Sequence, residues 1–184
     1  MQVGQTETRN WLVAMTYRLG QGFQHLGLVA PLQAKDHAEV EHWLPSLALP
    51  LFYSMSRADQ QHSLRVCRGL QALGYTEQDL LAAALLHDVG KAQGRVPFWT
   101  RPAIVLSKLL APSWLKRSVV HPHDFTTRHV PHWQQALSYA WWHADIGAEL
   151  AAQAGLSERA ALYIRTHHQP DGPAAALHQV DEVS

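Results

Sequence analysis

This chain of 184 residues consists largely of short segments in which apolar residues recur at helical spacing. Several of these segments lie between a residue suited to cap a helix and a glycine suited to end it. Ser56 is suited to cap one helix, with Asp59 three residues later, and Gly74 is suited to end it. Thr76 begins a second segment of the same kind, which runs to Gly90. No segment shows the sustained alternation of apolar and polar residues that a half-buried strand requires. The chain is therefore predicted to be all-α.

The C-terminal third is predicted to add three more helices. One ends at Gly155, and the next begins after the capping residue Ser157 and is broken at Pro170. A short last helix contains Asp181. With the two segments above, these helices predict a bundle.

The chain is predicted to form a single compact unit with two parts. Residues 1–55 are predicted to be an N-terminal helical extension packed on the core, and residues 56–184 are predicted to be the core domain. Within the core, residues 92–131 form a connection too long for an ordinary loop, and we predict that it is a helical insertion or lid. Its helical content is indicated by four leucines: Leu106, Leu109, Leu110 and Leu115.

The same insertion has an unusual charge distribution. Residues 89–123 contain no Asp or Glu but six basic residues, which are Lys91, Arg95, Arg101, Lys108, Lys116 and Arg117. Three interpretations are open: a lid that steers an anionic substrate, a peripheral membrane contact through residues 95–117, or a solvated face. Five aromatic residues within and after this stretch are predicted to pack in the core or the lid rather than to form a base-stacking platform. They are Phe98, Trp99, Trp114, Trp141 and Trp142.

Composition excludes several classes of protein. Lys and Arg number 15 and so do Asp and Glu, so the chain has no global basic field for coating nucleic acid. The single cysteine precludes an intramolecular disulfide framework, and no apolar run approaches the length of a transmembrane helix. We therefore expect a cytoplasmic protein. Thirteen histidines are well above ordinary usage, and imidazole is the commonest metal-binding side chain.

Histidine and aspartate recur within or at the ends of the predicted helices. Adjacent residues on a helix point about 100° apart, so His87 and Asp88 reach a common site only near a bend or by serving two metals. An aspartate between two ions can bridge them. Imidazole nitrogen together with carboxylate oxygen suits Fe, Mn, Co, Ni or Zn. A second group lies in a Pro-containing linker and is predicted to be surface histidines: His121, His123, His129 and His132.

The chain resembles the HD-domain superfamily of metal-dependent phosphohydrolases. The matching motifs stand in the family's order: HSLRV at 62–66, LLHDVGK at 85–91, HADIGAELAAQAG at 143–155, THHQPDG at 166–172 and LHQVDE at 177–182. The resemblance implies an HD-domain helical bundle for the core. It does not extend to the cyclic-dinucleotide branch called HD-GYP, because Gln169 replaces a glutamate of that branch and no G-Y-P follows. Ala58 stands where some of those enzymes carry a glutamate that supports a third metal, which favours a two-metal site.

The family's ligands can be assigned residue by residue. The resemblance implies a minimal metal set of His62, His87, Asp88 and Asp181, to which larger sites add His143 and His167, with His168 as a further ligand. Asp88 would bridge the metals and orient or deprotonate the attacking water. Lys91 and Arg65 are candidate contacts for phosphate.

The implied activity is hydrolysis of a phosphate mono- or diester, with a nucleotide among the candidates. One or two divalent transition-metal ions would activate the water, and the partner would be a small anionic phosphate-containing substrate. Two alternatives stay open: a mixed-valent di-iron oxygenase, because oxygenases of this fold use the same ligand set, and a metal-bound signalling module without turnover.

Overall fold

The computed structural model describes residues 30–93, 100–127 and 129–184, without the side chains of residues 101, 102 and 108. In this part of the chain all regular structure is helical, which confirms the all-α prediction. Residues 32–184 form one compact unit, so the part of the predicted extension from residue 32 to 55 belongs to the same unit as residues 56–184. The part of that prediction that concerns residues 1–29 lies outside the described residues.

In chain order, the helices are α1 (Ala34–Trp43), α2 (Leu49–Ser54), α3 (Arg57–Ala72), α4 (Gln78–Leu86), α5 (Gly90–Gln93), α6 (Thr100–Leu110), α7 (Pro112–Ser118), a short 3-10 helix (Pro122–Thr126), α8 (His132–Gln153), α9 (Glu158–Thr166) and α10 (Ala175–Val183).

Local capping determines where several helices begin and end. The Ser56 hydroxyl accepts a hydrogen bond from the backbone N–H of Asp59 at 3.2 Å, which fixes the start of α3. Ser157 accepts a backbone N–H at the start of α9 in the same way. Gly74 and Gly155 follow α3 and α8 with φ of +89° and +87°, a left-handed conformation that favours glycine. These four predictions are confirmed.

The predicted cap at Thr76 is wrong. The N-cap of α4 is Glu77, and its side chain makes no capping hydrogen bond. The start of α4 is instead held by burial of the helix itself.

Helix α4 is the centre of the unit. Its seven residues 80–86 are all buried, and it packs against α1, α2, α3 and α9. A helix that is apolar on every side is stable only when it is surrounded in this way. The consequence is that His87 and Asp88, which follow its last residue, are delivered into the interior of the bundle.

Helix α8 is longer than the sequence pattern predicted. The helix predicted to end at Gly155 begins at His132, directly after Pro131, and no glycine or proline interrupts the chain between Pro131 and Gly147. It packs against α5, α6 and α9, while α10 packs against α3. His143 therefore lies in the middle of a helix that crosses the bundle.

The insertion over residues 92–131 contains α6, α7 and the 3-10 helix, as predicted. Of the aromatic residues predicted to pack in the core or the lid, Trp114 is 48% exposed and is not part of the core, and Trp141 and Trp142 of α8 are half-buried. Phe98 and Trp99 lie outside the described residues. Among the helices that the structure describes, none has both the length and the apolar character needed to cross a bilayer.

Candidate metal centre

The fold brings together seven side chains that were predicted from sequence as metal ligands. They come from five places in the bundle: His62 in α3, His87 and Asp88 just after α4, His143 in α8, His167 and His168 just after α9, and Asp181 in α10.

One half of the cluster joins α3, α4 and α10. The Nε2 atom of His62 lies 2.8 Å from Oδ1 of Asp181, and the Nε2 atom of His87 lies 3.5 Å from the same oxygen. One ligand atom from each of the three residues lies within 4.8 Å of the others. Two imidazoles and a carboxylate at this spacing form a set of donors for one transition-metal ion.

The other half joins α8 and the end of α9. The Nε2 atoms of His143 and His168 lie 3.0 Å apart, and His167 completes a group whose ligand atoms also lie within 4.8 Å of one another. Three imidazoles are a ligand set that suits several transition metals.

Asp88 lies between the two halves. Its Oδ1 is 3.5 Å from Nε2 of His143, and its Oδ2 is 3.7 Å from Nε2 of His87. The residue is only 3% exposed. Each oxygen thus faces a different half, which is the placement that a bridging carboxylate requires.

Backbone hydrogen bonds fix the orientation of three of the rings. The Nδ1 atoms of His87, His143 and His167 lie 2.9, 2.8 and 2.6 Å from the backbone carbonyl oxygens three residues before them. A carbonyl oxygen can only accept, so Nδ1–H donates, and in the neutral ring the lone pair lies on Nε2. Metal-binding histidines usually make a hydrogen bond of this kind with the ring nitrogen that faces away from the ion, and here it directs Nε2 into the cluster.

Two of these Nε2 atoms make no hydrogen bond to a described residue, although that of His87 lies 3.5 Å from a carboxylate oxygen of Asp181. Within the described part of the chain, Nε2 of His87 and Nε2 of His167 are buried without a hydrogen bond, and both residues are fully inaccessible to solvent. A buried polar atom without a partner is costly and therefore uncommon. Metal coordination would satisfy both atoms, so the residues present fit a metal.

The protonation states of the two halves differ. Burial lowers the pKa of His167 to about 3 and that of His168 to about 4, and burial together with the nearby Lys91 ammonium holds the pKa of His143 well below its usual value. These three imidazoles are therefore neutral at pH 7, which is the form that binds metal.

In the other half, opposite charges outweigh the effect of burial. Burial disfavours charged His87, but the carboxylates of Asp88 and Asp181 raise its pKa to about 8. Burial also disfavours the charged form of Asp181, but the imidazoles of His62 and His87 beside it hold the pKa of this carboxyl group below its usual value.

The two predicted phosphate contacts differ in position. The ammonium of Lys91 forms an ion pair with Oδ1 of Asp88, and its side chain is 16% exposed. Arg65 is an exposed residue of α3, and no described hydrogen bond or ion pair joins it to the cluster.

Three residues that support the site were not predicted to do so. A Cβ on Gly90 would lie 2.1 Å from the backbone oxygen of His143, so only glycine permits the turn after α4 to lie against α8. Gly147 of α8 faces the same turn at a longer distance, since a Cβ on Gly147 would lie 3.4 Å from the backbone nitrogen of Gly90. His178 donates from Nδ1 to the carbonyl oxygen of His167 at 3.1 Å. The two glycines stand inside the motifs HDVGK and HADIG, but Gly90 was interpreted only as a helix stop.

No protein-family model, curated protein or solved structure matches this chain. Functional conclusions about it therefore rest on the chemistry of the cluster and on the resemblance of its motifs.

The second histidine group stays apart from the cluster. His123 is exposed and its Nε2 lies 3.3 Å from a carboxylate oxygen of Glu149, while His129 and His132 are exposed. Among the described residues, neither of the two groups with metal-binding spacing includes them. The prediction of surface histidines is confirmed for His123, His129 and His132, whereas His121 is half-buried, with its ring 5.0 Å from that of Trp142.

Proposed function

We propose that this protein is a metal-dependent phosphohydrolase of the HD type, acting on a phosphate mono- or diester, with a nucleotide among the candidate substrates. The observation that carries the proposal is the position of Asp88. It is a buried aspartate whose two oxygens face two separate sets of donors. A bridged pair of divalent ions is the arrangement that this position would support, in keeping with the resemblance to HD-domain enzymes.

The ligands divide into two sets around Asp88. His62, His87 and Asp181 would hold one ion, and His143, His167 and His168 would hold the other. Divalent ions held there would lower the pKa of bound water from 15.7 to about 7 and so supply a nucleophile at neutral pH. Fe, Mn, Co, Ni and Zn all suit this mixture of nitrogen and oxygen donors.

Lys91 and Asp88 would act together on the substrate. Asp88 is placed to orient the attacking water and accept its proton, because it lies between the two sets of ligands. Lys91 contacts Oδ1 of this carboxylate and is partly exposed, so its ammonium is available to a phosphate oxygen that approaches the cluster. A cation at this point would spread the charge that develops on the phosphoryl group.

The exposed members of the cluster define the direction of approach. The side chains of His62 and Asp181 are 20% and 18% accessible, whereas His87 and His167 are fully buried. We propose that substrate reaches the cluster from the exposed side, where Lys91 also meets solvent.

Elemental analysis and a substrate panel test the proposal. Protein purified without added metal should contain one or two transition-metal ions per chain, and it should hydrolyse an aryl phosphate or a nucleotide with Mn²⁺, Co²⁺ or Ni²⁺. His87→Ala and Asp88→Ala should abolish both metal content and activity. The exposed residues His132 and Asp171 give matched controls, and His132→Ala and Asp171→Ala should change neither. Metal content near that of the wild type in both site variants would refute the assignment.

The mixed-valent di-iron oxygenase is the second candidate, because oxygenases of this fold use four histidines and two aspartates, a set that the cluster contains. Anaerobic loading with iron, followed by optical and electron-paramagnetic spectra, would detect a mixed-valent pair. The contact of Lys91 with Asp88 favours the hydrolase, since a cation beside the cluster suits an anionic substrate. Bound metal without turnover in either assay would support the third candidate, a signalling module.

A further inference from the structure

Helix α6 presents its large apolar residues to solvent. Val105, Leu106, Leu109 and Leu110 are 50%, 53%, 63% and 71% exposed. Their spacing places them on one side of the helix. Among the described side chains of α6, the less exposed positions carry Thr100, Ala103, Ile104 and Ser107, so only one of them is a large apolar residue. An amphipathic helix on a protein surface normally shows the reverse arrangement.

Helix α7 packs against α6 and carries a further exposed aromatic residue. Trp114 follows four residues after Leu110 and is 48% exposed, and its ring lies parallel to that of Trp133 of α8, with centroids 6.4 Å apart and planes inclined by 6°. Trp133 is also 48% exposed. Val105, Leu106, Leu109, Leu110 and Trp114 together form the α6–α7 apolar face. Five large side chains exposed together indicate a surface that another component covers.

Charge around this face favours one kind of partner. Lys116 and Arg117 of α7 are exposed, and neither forms an ion pair with another described residue. Residues 89–123, which include the whole face, contain no acidic residue. Two copies of the chain packed through this face would bring like charges together. An anionic lipid surface would instead complement the basic residues while receiving the leucines and the tryptophan, a side chain that is enriched at membrane–water interfaces.

We propose that the α6–α7 apolar face attaches the protein peripherally to anionic membranes. The leucines and Val105 would enter the boundary between headgroups and acyl chains, and Lys116 and Arg117 would lie among anionic headgroups. This attachment is independent of the metal centre, since none of its residues belongs to the cluster. Helix α6 packs against α8, and α8 is the helix that carries His143.

Vesicle co-sedimentation of the full chain tests this attachment. The protein should sediment with vesicles of phosphatidylcholine and phosphatidylserine, much less with phosphatidylcholine alone, and less as salt is raised. Lys116→Gln and Arg117→Gln should each weaken partitioning about fivefold. Leu109→Gln and Leu110→Gln should each weaken it about tenfold or more, because each removes a side chain that would leave water.

Exposed leucines elsewhere provide matched controls. Leu73 and Leu47 are 62% and 73% exposed, close to Leu109 and Leu110, so the double variant Leu47→Gln/Leu73→Gln should bind vesicles as the wild type does. All four positions are exposed, so the variants should fold, which circular dichroism checks. Absence of wild-type sedimentation, equal binding to both vesicle types, or binding that survives Leu109→Gln/Leu110→Gln would overturn the proposal. A dimer that dissociates in the same double variant, seen by light scattering without vesicle binding, would also overturn it and would show that the face is a contact between copies.

Discussion

The close approach of Gly90 to α8 predicts that one added methyl group disables the metal centre. In Gly90→Ala, the new Cβ would lie 2.1 Å from the backbone oxygen of His143 and 2.8 Å from its Cα and carbonyl carbon. The first distance is about 1.3 Å short of the 3.4 Å at which ordinary van der Waals contact begins. The obstructing atoms belong to backbone in the middle of a 22-residue helix, so no side chain can move aside.

The strain should be relieved by displacement of α8 relative to the turn that carries His87 and Asp88. Overpacking of this kind costs about 1–3 kcal/mol, which corresponds to a fall in Tm of roughly 2–12 °C for a domain of this size. A shift of about 1 Å in His143 relative to Asp88 would cost about a hundredfold in any activity that depends on their geometry. We expect loss of the ion proposed for His143, His167 and His168, with partial retention of the ion proposed for the other set.

Metal stoichiometry by elemental analysis, alongside thermal unfolding, measures both effects. Gly155→Ala is the matched control, because Gly155 has a φ of +87° and nothing within 4 Å of an added Cβ. That variant should lose about 1 kcal/mol of stability from backbone strain and retain all of its metal. A Gly90→Ala protein with wild-type stoichiometry and activity would refute the steric reasoning, as would equal loss of metal in both variants.

Metal binding, pH and helix capping each provide a further test. Mn²⁺ at about a hundred times its Kd should stabilise the chelator-treated protein by ~2.7 kcal/mol, a Tm increase of roughly 5–11 °C, and Asp88→Ala should abolish this increase. The chelator-treated protein should lose stability as pH falls below 6.5, because the unfolded chain then binds protons that His167, with its pKa lowered to about 3, and His143 do not bind when folded. His87 has the opposite effect, because its pKa is raised to about 8, and the stability that it contributes is lost as the pH rises from 6.5 to 8. We expect the effect of His167 and His143 to dominate at acidic pH, so a Tm that rises from pH 7 to pH 5 would contradict this reasoning. Ser56→Ala should lower the free energy of unfolding, measured by chemical denaturation, by about 1 kcal/mol, and Thr76→Ala should lower it clearly less, because Ser56 caps its helix and Thr76 does not. Equal losses in the two variants would contradict this assignment.

Local signals in the sequence predicted local structure well. Ser56, Ser157, Gly74 and Gly155 mark the ends of their helices because capping needs only the neighbouring backbone. Thr76 failed because the start of α4 is set by burial against four other helices rather than by a side-chain cap.

Features that depend on distant parts of the chain were predicted less well. Gly90 was interpreted as a helix stop. The reason that only glycine fits at this position is the backbone of α8, which follows much later in the chain. The exposed leucines of α6 have the same spacing as a buried helical face, so periodicity alone could not say which way they point. The grouping of the histidines and aspartates was predicted through a resemblance of motifs in order, whereas the backbone bonds that orient their rings became visible only in three dimensions.

The contact between His62 and Asp181 joins residues 119 positions apart. One half of the centre therefore cannot exist during synthesis until Asp181 has left the ribosome, although His62, His87 and Asp88 emerge much earlier. Until then, two imidazoles and a carboxylate are available to any metal in the cell without the geometry that selects among them. Ion selection would thus follow the arrival of α10, and a nascent chain that captures the wrong ion would have to release it before α10 can pack on α3.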